Sequence, residues 1–153
     1  MNVLVDTSVW SLALCRASTI ATPVVHELSE LVREGRVEML GAIRQELLSG
    51  VRDPAQFERL KSHLRAFPDI VHETSDFELA ADYLNQCRAL GVQGSNTDFL
   101  ICAVASRRSL AIYTTDGDFT AFQRVLPLHL HAPRQRFPVA TASSPRKSRE
   151  ALS

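Results

Sequence analysis

The sequence predicts an α/β domain built on a mainly parallel sheet of five strands, and three observations carry the prediction. Short β-type runs alternate with amphipathic helical stretches from the N-terminus to about residue 133. A chain of 153 residues with 45% hydrophobic content suffices for one domain with one core. Strands separated by helices rather than by tight turns are joined by crossovers, which leave them parallel.

"NVLV" (2–5) opens the chain as a strand. "TPVVHELSELVREGR" (22–36) follows as a helix with Pro23 in its first turn and Gly35 near its end. Its apolar stripe serves either the core or an interface. "VEML" (37–40) is the second strand, "IRQELLSG" (43–50) and "PAQFERLKSHLRAF" (54–67) are helices, and "DIVHE" (69–73) is the third strand. "SDFELAADYLNQCRALG" (75–91) offers a capping box of Ser75 and Glu78 and a stop at Gly91. After the loop "VQGSN", the helix "TDFLICAVASRRS" (97–109) leads to the strands "LAIYT" (110–114) and "LHLH" (128–131). The last 20 residues, 134–153, are rich in Ser, Pro and Arg without apolar periodicity and predict a flexible tail on a 1–133 domain.

Several function classes fall away. There is no GxxxxGKS or GxGxxG loop, no signal-peptide pattern and no apolar run near the roughly 20 residues of a membrane span. Cys15, Cys87 and Cys102 lack CxxC spacing and read as core thiols of a cytoplasmic protein. The five histidines form no ligand motif, and the HxH of the last strand places His129 and His131 on one sheet face in a structural role. The formal charge is zero, yet the tail holds five of the 17 basic residues and one of the 17 acidic ones. The tail therefore carries +4 and the body −4, which is not the usual footprint of a nucleic-acid binder.

The acids of the body are the informative residues. In a parallel sheet the crossover helices begin where strands end, and ligands bind at that edge. Asp6 ends the first strand, Asp116 and Asp118 follow the fourth in "TTDGDF", Glu46 lies in the helix after the second, and Asp98 opens the helix that precedes the fourth. Each has a local reading as well: a cap for Asp6, a helix-dipole partner for Asp98, turn residues for Asp116 and Asp118, a solvated helix face for Glu46. Their convergence on one rim is what argues for chemistry. At about 5 Å and an effective dielectric near 20 each carboxylate pair costs roughly 3 kcal/mol, so either protons or a cation must join them. Oxygen donors alone suit Mg²⁺ or Mn²⁺ rather than zinc.

"VLVDTSVW", "IRQELLSG", "TDFLICAVA" and "IYTTDGDF", in that order, resemble the PIN domain, and most of all the VapC-type ribonuclease toxins of toxin–antitoxin pairs. The resemblance spans residues 1–133. It implies a three-layer α/β/α domain and a Mg²⁺- or Mn²⁺-dependent endoribonuclease. Asp6, Glu46, Asp98 and Asp116 match the acidic quartet that holds the metal, Asp118 a fifth acid of many members, and Thr7, Ser8 and Thr115 small hydroxyl residues that support the site. The chain departs from the pattern in "GAI" ahead of Glu46, where many members have Ser or Thr, and in "TTDGDF", where Asn commonly precedes Asp. An ion held there makes water reactive near neutral pH and draws charge from the phosphate, with Asp98 or Asp116 orienting the water, so that in-line attack leaves 5′-phosphate and 3′-hydroxyl ends.

The expected partners are an RNA substrate, an antitoxin protein and a second copy of the chain. Arg44, Arg52, Arg107 and Arg108 either contact flanking phosphates or lie on solvated faces. Competing readings are a non-catalytic PIN-like RNA- or partner-binding subunit and a housekeeping RNA-processing nuclease. A receiver module would need a phospho-accepting Asp after the third strand, and a haloacid-dehalogenase-like phosphatase would need Asp where Ser8 stands.

Overall fold

A computed structural model describes residues 1–14 and 22–134. Among the described residues three strands, β1 (Val3–Val5), β2 (Val37–Glu38) and β3 (Ala111–Tyr113), form a parallel sheet in the order β2-β1-β3. Val3 pairs with Val37 on one side and Ala111 on the other. Every residue of β1 and β3 is buried, so helices cover both faces and the strands read as unbroken apolar runs.

Five strands were expected, and the two others are reduced to single bridges that extend the sheet at each edge. Asp69 bridges to Met39, and Leu130 to Ile112, both parallel. The third run stops after Ile70 because Val71 is 83% exposed and its carbonyl turns to Arg108. The fifth is bracketed by Pro127 and Pro133, which have no N–H to donate to a ladder.

The helices are α1 (Thr7–Leu14), α2 (Pro23–Arg33), α3 (Gly41–Ser49), α4 (Pro54–Leu64), α5 (Thr74–Ala89), α6 (Asn96–Arg108) and α7 (Asp118–Gln123). α1 packs on α2 and α3, α3 on α4, and α5 along α6, giving helical layers on either side of the sheet. Thr22 caps α2 through Val25 N–H, with Pro23 at its first position. Gly35 and Gly91 take φ of +66° and +76° where α2 and α5 end, a conformation open to glycine without steric cost.

The capping box expected at Ser75 and Glu78 lies two residues earlier. Glu73 is the N-cap, and Asp76 Oδ2 accepts its N–H at 2.8 Å. Asp76 is wholly buried because it also receives Arg107 and Arg108, whose guanidiniums hold its carboxyl well below the usual carboxylate range. This ties the start of α5 to the end of α6 and fixes the pair as antiparallel.

At the other end of the chain, burial pushes Glu27 of α2 up, but hydrogen bonds from His131 at 2.8 Å and from Arg134 bring its carboxyl below its ordinary value. Arg134 also pairs with Glu34 at 2.5 Å. The first residue assigned to the tail is therefore anchored to α2, and His131 has the structural role expected of it. The rest of the tail, and Cys15, lie outside the described residues. Cys87 and Cys102 are buried free thiols, both pushed up by burial. Among the described residues, no helix is long and apolar enough to cross a membrane.

Candidate active site at the carboxyl edge of the sheet

Asp6 follows β1 and precedes α1. Its backbone carbonyl accepts the N–H groups of Val9 and Trp10 and so starts the helix. Its carboxylate does something else: Oδ2 accepts hydroxyl hydrogen bonds from Ser8 and from Thr114, each at 2.9 Å. Both hydroxyls have then given up their single proton, and their oxygens accept in turn. Ser8 Oγ takes Thr115 N–H at 3.0 Å, and Thr114 Oγ1 takes Asp116 N–H at 3.0 Å. The loop after β3 is thereby fastened to Asp6, at only 7% exposure the most buried acid of the rim.

Asp98 arrives from a third segment. Ser95 caps α6, with its hydroxyl accepting Asp98 N–H at 3.1 Å, while Asp98 Oδ2 accepts Ser95 N–H at 2.9 Å. This reciprocal pair fixes the carboxylate in the first turn. Burial pushes Asp98 up, Ser95 opposes that by hydrogen bonding, and the negative charges of Asp6 and Asp116 raise it further. Those two charges act on Asp98 because the fold brings the three acids within electrostatic reach.

Glu46 joins through α1: Thr7 Oγ1 donates to its Oε2 at 2.7 Å. Asp116 Oδ1 accepts Asp118 N–H at 2.9 Å in a turn, and Asp118 itself is exposed at the start of α7. Thr115 contributes its main chain, not its hydroxyl; the side chain that links Asp6 to Asp116 is Thr114. Neither Thr114 nor Ser95 was singled out from sequence. The capping pattern Ser95-x-x-Asp98 was legible, whereas nothing in the doublet Thr114-Thr115 says which hydroxyl faces inward.

Three of the four arginines expected to contact phosphates or lie on solvated faces are engaged elsewhere. Arg107 and Arg108 serve Asp76 at the far end of α6, about 14 Å along the helix from Asp98. Arg44 bonds Asp69 and the carbonyls of Leu64 and Phe67, closing the end of α4. Arg52 is exposed.

The donor set fits a hard divalent ion. It consists of carboxylates and hydroxyls from four segments, and among the described residues no Lys, Arg or His lies within ion-pair distance of Asp6, Glu46, Asp98, Asp116 or Asp118. As they stand, no three His, Cys, Asp or Glu side chains among the described residues are grouped closely enough to hold one ion. Each of Asp6, Asp98 and Asp116 has one oxygen committed to the hydrogen bonds above and a second outside them.

Known proteins agree with this architecture. FitAcB from Neisseria gonorrhoeae is similar with TM-score 0.69 and 22% identity over 86% of this chain and 97% of that one. VapBC2 from Rickettsia felis, bound to a DNA fragment from its promoter, gives 0.69 and 16% over 86% and 98%. VapBC-1 from nontypeable Haemophilus influenzae gives 0.65 and 16% over 86% and 97%. No curated protein matches. The family profile of the PIN domain matches residues 3–125, which hold β1 through α7 and every rim acid, and the chain belongs to the PIN domain family.

Proposed function

We propose that the protein is a divalent-metal-dependent endoribonuclease and the toxin of a toxin–antitoxin pair. The observation that carries the reading is the convergence of Asp6, Asp98 and Asp116 from three segments on one sheet edge, tied by Ser8, Thr114 and Ser95, with no Lys, Arg or His within ion-pair distance among the described residues. Such a rim is costly unless a cation joins it, and PIN domains are generally nucleases.

Asp6, Asp98 and Asp116 would hold Mg²⁺ or Mn²⁺, with Glu46 and Asp118 alongside. When bound, the ion makes water a competent nucleophile near neutral pH and withdraws charge from the phosphate. The chain's own contribution is orientation. Ser8 and Thr114 fix Asp6, Ser95 fixes Asp98, and the Thr114–Asp116 link sets their spacing. Asp98 or Asp116 would orient the attacking water.

The likeness to the VapBC and FitAcB structures supports an antitoxin as partner, and a homodimer as the working unit is part of the same proposal. Defined RNAs incubated with Mg²⁺, Mn²⁺ or chelator test the proposal. Cutting is expected only with metal, is lost in Asp6→Asn and Asp98→Asn, and leaves 5′-phosphate ends. Recovery of 2′,3′-cyclic phosphates would reject the mechanism, since these need the 2′-hydroxyl of the RNA as nucleophile.

A further inference from the structure

On the β2 side of the same sheet edge, α3, α4 and the segment after α4 enclose a cavity of about 440 Å³. Its wall carries Arg44, Lys61, Arg65 and the ring of Phe57, with Asp69 as its acid. Asp69 is bridged to Met39, next to β2, and β2 pairs with β1. Two strand spacings of about 4.8 Å put the backbone of Asp69, on the near wall of the cavity, on the order of 10 Å from the end of β1.

Its cations differ in what they are free to do. Arg44 is committed to Asp69 and two carbonyls. Lys61 stands 3.8 Å from the exposed Glu58, an i,i+3 pair of little strength. Among the described residues, no acid lies within ion-pair distance of the exposed Arg65. Phe67 is occupied edge-on by Trp10 at 5.1 Å, whereas Phe57 is half-buried and makes no ring contact among the described residues. Phe57, Lys61 and Arg65 follow one another at i, i+4 and i+8, a single row of one ring and two cations down α4 to the helical C-cap residue that ends it.

We infer that this cavity seats a single-stranded RNA segment next to the scissile bond, with a base on Phe57 and phosphates on Lys61 and Arg65. A flat ring beside spaced cations is the chemistry of single-strand recognition, and the cations offset the repulsion that the acidic rim imposes on the strand. An acidic peptide would satisfy the charges but leave the ring without a base. The inference rests on the nuclease reading and assigns its substrate a second foothold.

The test is fluorescence-anisotropy titration of a labelled single-stranded RNA in magnesium, with every protein on the Asp98→Asn background so that the probe stays whole. Lys61→Gln with Arg65→Gln should weaken binding roughly tenfold and flatten the salt dependence by about 1.4 in log–log slope. Phe57→Leu should cost roughly fivefold. Arg59→Gln, on the same helix but lining a separate cavity with Ser62 and His63, should stay within about twofold. No RNA binding, unchanged binding in the double variant, an equal loss in Arg59→Gln, or tighter binding of a polyglutamate peptide than of RNA would each overturn the inference. Cleavage by the protein without the Asp98 substitution separates the two proposals. Cutting with unchanged binding removes the cavity's role and leaves the nuclease; the expected binding losses without cutting keep the cavity and remove the nuclease.

Discussion

Replacing Asp98 by Asn should make the metal-free protein more stable while abolishing the proposed RNA cleavage. Asn keeps an acceptor for Ser95 N–H, so the reciprocal cap of α6 survives. What disappears is a charge that burial and two neighbouring carboxylates oppose. At a separation of about 7 Å and an effective dielectric near 20, a pair of like charges costs roughly 2.4 kcal/mol. Screening at this solvent-open rim reduces the net gain to about 1 kcal/mol, which for a domain of this size is roughly 4 °C in Tm.

The sign with pH is fixed by the direction of the shift. A carboxyl raised in the folded state destabilises when ionised, so the penalty is full above its folded value and is relieved as the pH falls through it. The Asn variant should therefore lead at pH 7–8 in chelator, and the lead should fade in acid. Magnesium should reverse the order: at a hundredfold excess over Kd, binding adds about 2.7 kcal/mol to the native chain and little to the variant. Thermal melts at two pH values, with chelator and with magnesium, measure all of this. An Asn variant no more stable than the native chain in chelator at neutral pH would show that the acids do not repel one another, and the case for a cation would go with it.

Asp76→Ala should cost about 3–5 kcal/mol in urea denaturation, because Arg107 and Arg108 lose the buried carboxylate that both converge on. Asp76 is depressed, so the stability it supplies is present above its unfolded value and is lost only in strong acid. Thr114→Val keeps the shape but removes one hydroxyl bond to Asp6 and one from Asp116 N–H; metal affinity, followed by metal-dependent melting, should fall ten- to a hundredfold. Gly94→Ala would set a Cβ 2.5 Å from Cζ of the wholly buried Phe122, so about 1–3 kcal/mol of stability should be lost, read as a lower urea midpoint at unchanged slope.

By itself the sequence determined the alternation of strand and helix, and with it the parallel sheet whose carboxyl edge collects residues from distant segments. Periodicity and handed crossovers are local and topological constraints, and they are written in the order of residue types. The same logic placed Asp6 after β1, Asp98 at the start of α6 and Asp116 after β3. Tertiary structure decided what each polar group touches. It made Thr114 rather than Thr115 the link between Asp6 and Asp116, spent Arg107 and Arg108 on Asp76 at the opposite end of α6, and shrank two of five strands to single bridges. Side-chain partners are settled by which atoms packing brings within about 3 Å, a distance that no periodicity along the chain encodes.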